Sequence, residues 1–134
     1  MLLTLSTSLR DALVAHCQSR YPKEACGYLA ADRSGAIAHL YPMTNIEDSP
    51  VGYSMDPQEQ FRTEKQMRAA GQQLAGIYHS HTASAAYPSS VDVSLAISPD
   101  ISYVLVSLKD RTHPDVKSYR IDGPRITAEE VRIV

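Results

Sequence analysis

The chain predicts an α/β fold of the α+β type, a mixed, mostly antiparallel, curved sheet flanked by helices, in a single domain spanning 1–134. Three observations carry this expectation. Residues 8–20 and 56–70 have helical signatures, residues 101–108 form a long apolar strand, and short strand-like segments bounded by turn residues fill much of the remainder. With 134 residues and 43% apolar content, the chain has enough material for one core.

In chain order, Leu9, Leu13 and Cys17 place an apolar residue at every fourth position, the stripe of an amphipathic helix that closes before Tyr21-Pro22. Residues 25–30 and 36–41 flank Asp32-Arg33-Ser34-Gly35 and read as a hairpin. A polar loop covers 44–52. Asp56-Pro57-Gln58-Glu59 then combines an N-cap, a proline at the first helical position and a glutamate three after the cap. That helix should run to about residue 70, with Gly71 near its end. Residues 74–81 read as a strand and 89–97 as a short helix. Strand 101–108 turns through 109–114 into a partner at 116–121. Residues 126–134 fit either an edge strand or a short terminal helix.

Composition excludes several function classes. Thirteen basic against fifteen acidic residues leave a net charge of −2, which argues against nucleic acid or an anionic membrane as partner. No apolar run is long enough to cross a bilayer, and the start of the chain lacks the basic and continuous apolar regions of a signal peptide. Two cysteines, Cys17 and Cys26, make no disulfide framework, so a cytoplasmic location is expected.

The chemistry is concentrated in His79-Ser80-His81 and Ser89-Ser90-Val91-Asp92, which together spell H-x-H-x7-S-x2-D. On a strand, positions i and i+2 share a face, so His79 and His81 can converge on one ion while Ser80 points away. Asp92, in the first turn of the next helix, can complete a two-imidazole, one-carboxylate set that leaves a fourth position open for water. Such a metal acidifies water toward neutrality, and the reaction needs a base for the proton. Glu24, beside the first predicted strand, is the candidate base.

Blander roles exist for each part. Ser89-x-x-Asp92 also reads as a capping box, which is compatible with presenting Asp92 to a metal. Glu24 beside Lys23 also reads as a solvated charge, and Cys26 as a small core residue rather than a nucleophile. His16, His39 and His113 read as packed or surface residues. No H-E-x-x-H helix, C-x-x-C pair, G-x-S-x-G elbow or phosphate-binding glycine loop is present.

Glu24, His79-Ser80-His81, Ser89 and Asp92 together resemble the motif of the JAMM (MPN+) zinc metalloproteases. The resemblance extends through Glu24-Ala25-Cys26-Gly27, Met43-Thr44-Asn45, Ala86-Tyr87-Pro88-Ser89 and Tyr103-Val104-Leu105-Val106-Ser107 to the family's small bacterial branch. It implies a sandwich of the kind shared by JAMM proteins and cytidine deaminases. It also implies Zn²⁺ held by His79, His81 and Asp92, Glu24 as general base then acid, and Ser89 as donor to the oxyanion. The implied substrate is a ubiquitin-like sulfur-carrier protein, cut after its C-terminal Gly-Gly, with release of cysteine for cysteine biosynthesis as one outcome. The alternatives are a silent MPN-type scaffold that binds a ubiquitin-like partner, and a JAMM hydrolase with another substrate. A homodimer formed through an exposed strand edge or the first helix is compatible with the sequence.

Overall fold

The computed structural model describes all 134 residues. Its elements are β1 (Leu2–Leu5), α1 (Thr7–Arg20), β2 (Cys26–Ala31), β3 (Ile37–Met43), α2 (Pro57–Ala69), β4 (Gln73–His81), α3 (Ser90–Ser94), β5 (Ser102–Ser107), β6 (Asp115–Asp122) and β7 (Arg125–Ile133). All seven strands join one sheet in the order β1-β7-β6-β5-β4-β2-β3. The pairs β1/β7 and β4/β5 are parallel, and the other four are antiparallel. This is the mixed, mostly antiparallel α+β architecture that the sequence predicts.

Local chemistry sets the helix ends. Ser6 accepts the Leu9 amide at 3.1 Å and Asp56 accepts the Gln58 amide at 3.0 Å, so each side chain satisfies a donor that a helix start leaves free. α1 stops at Tyr21 because Pro22 has no N–H to continue the ladder. α2 is followed by Gly71 at φ 70°, a left-handed conformation that glycine adopts at least cost.

The helices cover opposite faces of the sheet, so the central strands are buried on both sides. Under α1, Leu13 and Cys17 pack with Leu5, Leu29, Tyr78, Val104 and Val106. On the other face, Met67 of α2 packs with Cys26, Tyr28, Ile77 and Tyr103. The alternation of Ile77 and Tyr78 between these clusters is the strand period expressed as packing. Both cysteines are fully buried and free, and burial pushes each thiol up to about 12. Cys26 is therefore a core residue and no nucleophile.

Three elements differ from the sequence reading. β1 was not anticipated: it is four residues long and pairs with the far end of the chain, Leu2 opposite Glu130. Residues 125–133 form a strand, which lies inside the sheet because β1 takes the edge. α3 ends at Ser94 rather than near 97. The Ile97 and Ser98 amides both donate to the Tyr103 phenol oxygen at 2.9 Å, and so are unavailable to extend the helix. No helix is long and apolar enough to cross a membrane.

Candidate metal centre and its cleft

β4 ends in the site. Its last residues are buried, and strand alternation turns His79 and His81 to one face and Ser80 to the other. The Ser80 hydroxyl accepts the Ala25 amide at 2.8 Å, and the Ser80 amide donates to the Ala25 carbonyl at 3.0 Å. The middle residue of the motif thus ties β4 to the segment that begins with Glu24.

Ser89 caps α3, and the expected capping box is complete. Ser89 Oγ accepts the Asp92 amide at 3.1 Å, while Asp92 Oδ2 accepts the Ser89 amide at 2.8 Å. The cap aims Asp92 at the histidines. Its Oδ2 lies 3.2 Å from His79 Nε2 and 3.1 Å from His81 Nε2, and the two imidazole nitrogens are 3.2 Å apart.

This triangle fits a cation. Tetrahedral Zn²⁺ with bonds of about 2.0–2.1 Å sets its ligand atoms about 3.3 Å apart, close to the three observed edges. Hydrogen bonding alone serves the triangle poorly, because one carboxylate oxygen and two ring nitrogens converge with few protons to share. The donor set itself, two imidazoles and a carboxylate with borderline softness, suits zinc. His81 is also oriented from behind. Its Nδ1 lies 2.9 Å from the Ala85 carbonyl, which can only accept, so Nδ1 carries a proton and the neutral ring turns its Nε2 lone pair into the site.

The electrostatics of the metal-free site follow from burial and these contacts. Burial lowers the pKa of His79. For His81, burial pulls downward but is outweighed by Asp92, the Ala85 carbonyl and Glu24, so its pKa rises. Burial opposes ionisation of Asp92, yet contacts with both imidazoles hold its carboxyl far below the usual range.

Glu24 is 6% exposed and lines the same cleft as His81, Ser89 and Asp92. Burial pushes its carboxyl up to about 7, with His81 pulling it down and Asp92 and Glu47 adding to the rise. The cleft has a volume of about 320 Å³, and its other walls include Tyr53 and the exposed Val51, Val91 and Leu95. The Tyr53 ring lies against His79, with centroids 4.7 Å apart and planes tilted by 31°.

Of the five residues singled out in the sequence, Glu24, His81, Ser89 and Asp92 therefore line one cleft, and His79 lies behind it, in contact with His81 and Asp92. Two further contributors were not anticipated, Tyr53 and the Ala85 carbonyl. Neither belongs to a spacing pattern, and a backbone acceptor has no residue type to betray it. Of the remaining histidines, His16 donates to or accepts from Tyr78 Oη at 2.6 Å in the core under α1, and His113 is exposed.

A two-imidazole, one-carboxylate centre at a strand end, with a buried glutamate beside it, defines a JAMM-type peptidase. The family described as prokaryotic homologs of the JAB domain matches residues 6–122, and the chain belongs to it. The chain is 44% identical over 133 residues to a CysO-cysteine peptidase of Mycobacterium tuberculosis, covering 98% of this chain and 91% of that protein. It is 32% identical over 111 residues to a desampylase of Haloferax volcanii, covering 78% of this chain and 80% of the relative. A solution structure from Desulfitobacterium hafniense matches with a TM-score of 0.88 at 36% identity, over 100% of this chain and 93% of that one. A JAB1/MPN domain protein of Archaeoglobus fulgidus shares the fold, with a TM-score of 0.61 at 19% identity and coverage of 98% and 99%.

Proposed function

We propose that residues 1–134 form a zinc-dependent peptidase that hydrolyses the bond after the C-terminal Gly-Gly of a ubiquitin-like sulfur-carrier protein, releasing cysteine for cysteine biosynthesis. The observation that carries this reading is the convergence of His79, His81 and Asp92 at 3.1–3.2 Å beside a buried Glu24. Identity of 44% to a CysO-cysteine peptidase along almost the whole chain supports the choice of substrate. The two free, buried cysteines suit a reducing compartment such as the cytoplasm.

His79, His81 and Asp92 would hold Zn²⁺, which supplies Lewis acidity toward a carbonyl and acidifies water. Glu24 takes the proton of the attacking water and passes it to the leaving amine, as base and then acid. Burial, which raises the pKa of its carboxyl in the absence of metal, favours a group that can do both. The Ser89 hydroxyl donates to the carbonyl oxygen as negative charge develops. Its oxygen already accepts the Asp92 amide, which leaves the hydroxyl proton free for that task. The diglycine has no side chains, so backbone hydrogen bonds to an extended tail, rather than a deep pocket, are the means of holding it.

The desampylase relative favours a second reading on the same centre, cleavage of conjugates in which the leaving amine belongs to a protein lysine. Mass spectrometry separates the two. A carrier ending in Gly-Gly-Cys should lose one cysteine faster than a Gly-Gly-lysine conjugate is cut. The reverse order would favour the second reading, and no cleavage of either would favour a silent scaffold. Size-exclusion chromatography of the zinc-loaded protein tests the homodimer reading.

A further inference from the structure

We propose that Asn45 is a positioning residue for the reaction: its side-chain amide locks the 46–54 loop onto the backbone of Glu24 and so fixes the base against the metal ligands. The proposal rests on the peptidase reading above. Asn45 itself is 4% exposed and contributes no atom to the triangle of ligands.

Its amide makes every hydrogen bond open to it. Nδ2 donates to the Glu24 and Gly52 carbonyls, both at 3.0 Å, and Oδ1 accepts the Glu47 and Ser54 amides, both at 3.0 Å. Two donors and two acceptor sites thus join three points of one loop to Glu24. The loop is tied to the same place twice more. The Glu24 amide donates to the Ser49 carbonyl at 2.8 Å, and Lys23 pairs with Asp48 at 2.6 Å. Its far side is pinned to the residue after His81, since Thr82 Oγ1 donates to the Pro50 carbonyl at 2.9 Å.

The geometry has a chemical consequence. Near its end the loop carries Gly52 and Tyr53, which wall the cleft, and Tyr53 lies against His79. Both backbone polar groups of Glu24 are held by this loop or its anchor, so one buried amide sets the base and the ring behind a ligand together. A base misplaced by about 1 Å costs a reaction of this kind up to 100-fold in rate. Polar groups this deep are satisfied or costly, which makes the arrangement discrete rather than yielding.

Asn45→Ala removes all four bonds, and Asn45→Asp keeps the acceptors while losing both donors. In zinc-loaded protein, both variants should retain one zinc per chain and lose ten- to hundred-fold in kcat, with KM changed much less. Amide hydrogen exchange supplies a readout that needs no substrate. The Glu24 and Ser54 amides should exchange at least ten-fold faster in Asn45→Ala, while those of β5 keep the wild-type rate. Unchanged exchange at Glu24, or unchanged kcat in either zinc-loaded variant, would overturn the proposal. Loss of zinc in both variants would also overturn it, by showing that the loop supports the metal ligands rather than the base. A wild-type enzyme that cleaves no carrier would count against the peptidase reading alone, with Glu24 exchange still deciding the lock.

Discussion

His81 Nε2 and Asp92 Oδ2 face each other at 3.1 Å, while the opposite side of the His81 ring donates to the Ala85 carbonyl at 2.9 Å. In the neutral ring, that places a nitrogen lone pair against a carboxylate. Only a proton or a cation between them relieves the repulsion. The same two atoms therefore describe the metal-free and the metal-loaded protein.

Metal uptake should accordingly release protons near neutral pH. His81 has a raised pKa in the metal-free protein, so the His81–Asp92 pair stabilises that form below the ordinary histidine value and loses its contribution as pH rises through the folded one. Zinc displaces the proton, and zinc affinity should fall as pH drops. Calorimetric titration in buffers of different ionisation enthalpy measures this. A binding enthalpy independent of buffer between pH 6 and 7 would show that no proton leaves.

The cap that Ser89 makes and the oxyanion role proposed for it are separable. Ser89→Ala should remove the cap of α3, at about 1 kcal/mol of stability, and about 10²–10³-fold of kcat through loss of the oxyanion donor. Ser89→Thr keeps a hydroxyl for both and should retain most of each. Urea unfolding together with steady-state kinetics tells them apart. A kcat for Ser89→Ala close to wild type would leave the residue with only the cap.

Gly27 should resist substitution because of its neighbour, not its own backbone. A methyl group there would run into the Tyr78 ring, whose hydroxyl is engaged with His16 at 2.6 Å. Tyr78 sits in β4 directly before His79, so the ring has little room to move. Gly27→Ala should cost about 1–3 kcal/mol by overpacking. An unchanged urea midpoint would show that the ring moves aside freely.

Much of the site is written in local spacing. His79 and His81 share a face because a strand has a period of two, and Ser89 and Asp92 meet because a helix start brings an N-cap and the third residue together. Glu24 stands out in the sequence only as the glutamate beside the first expected strand, since nothing local joins it to His79, 55 positions away. The contributions of Tyr53, Ala85 and Asn45 stayed hidden for the same reason: they depend on how a loop lies against distant strands. The fold divides likewise. α1, α2 and β5 carry long patterns or clear end signals, whereas four-residue β1 acquires its place only by pairing with β7. The length of α3 depended on Tyr103, whose hydroxyl takes two amides the helix would have needed.

The most direct measurement compares wild type and Glu24→Gln, each shown by elemental analysis to hold one zinc per chain, on a carrier ending in Gly-Gly-Cys. Glutamine preserves the shape of the side chain and removes only its ability to take up a proton. Loss of cysteine from the carrier, followed by mass spectrometry, should be about 10²–10⁴-fold slower in the variant. Equal rates from the two zinc-loaded proteins would contradict proton transfer by Glu24, and a wild-type protein that holds no zinc would contradict the centre itself.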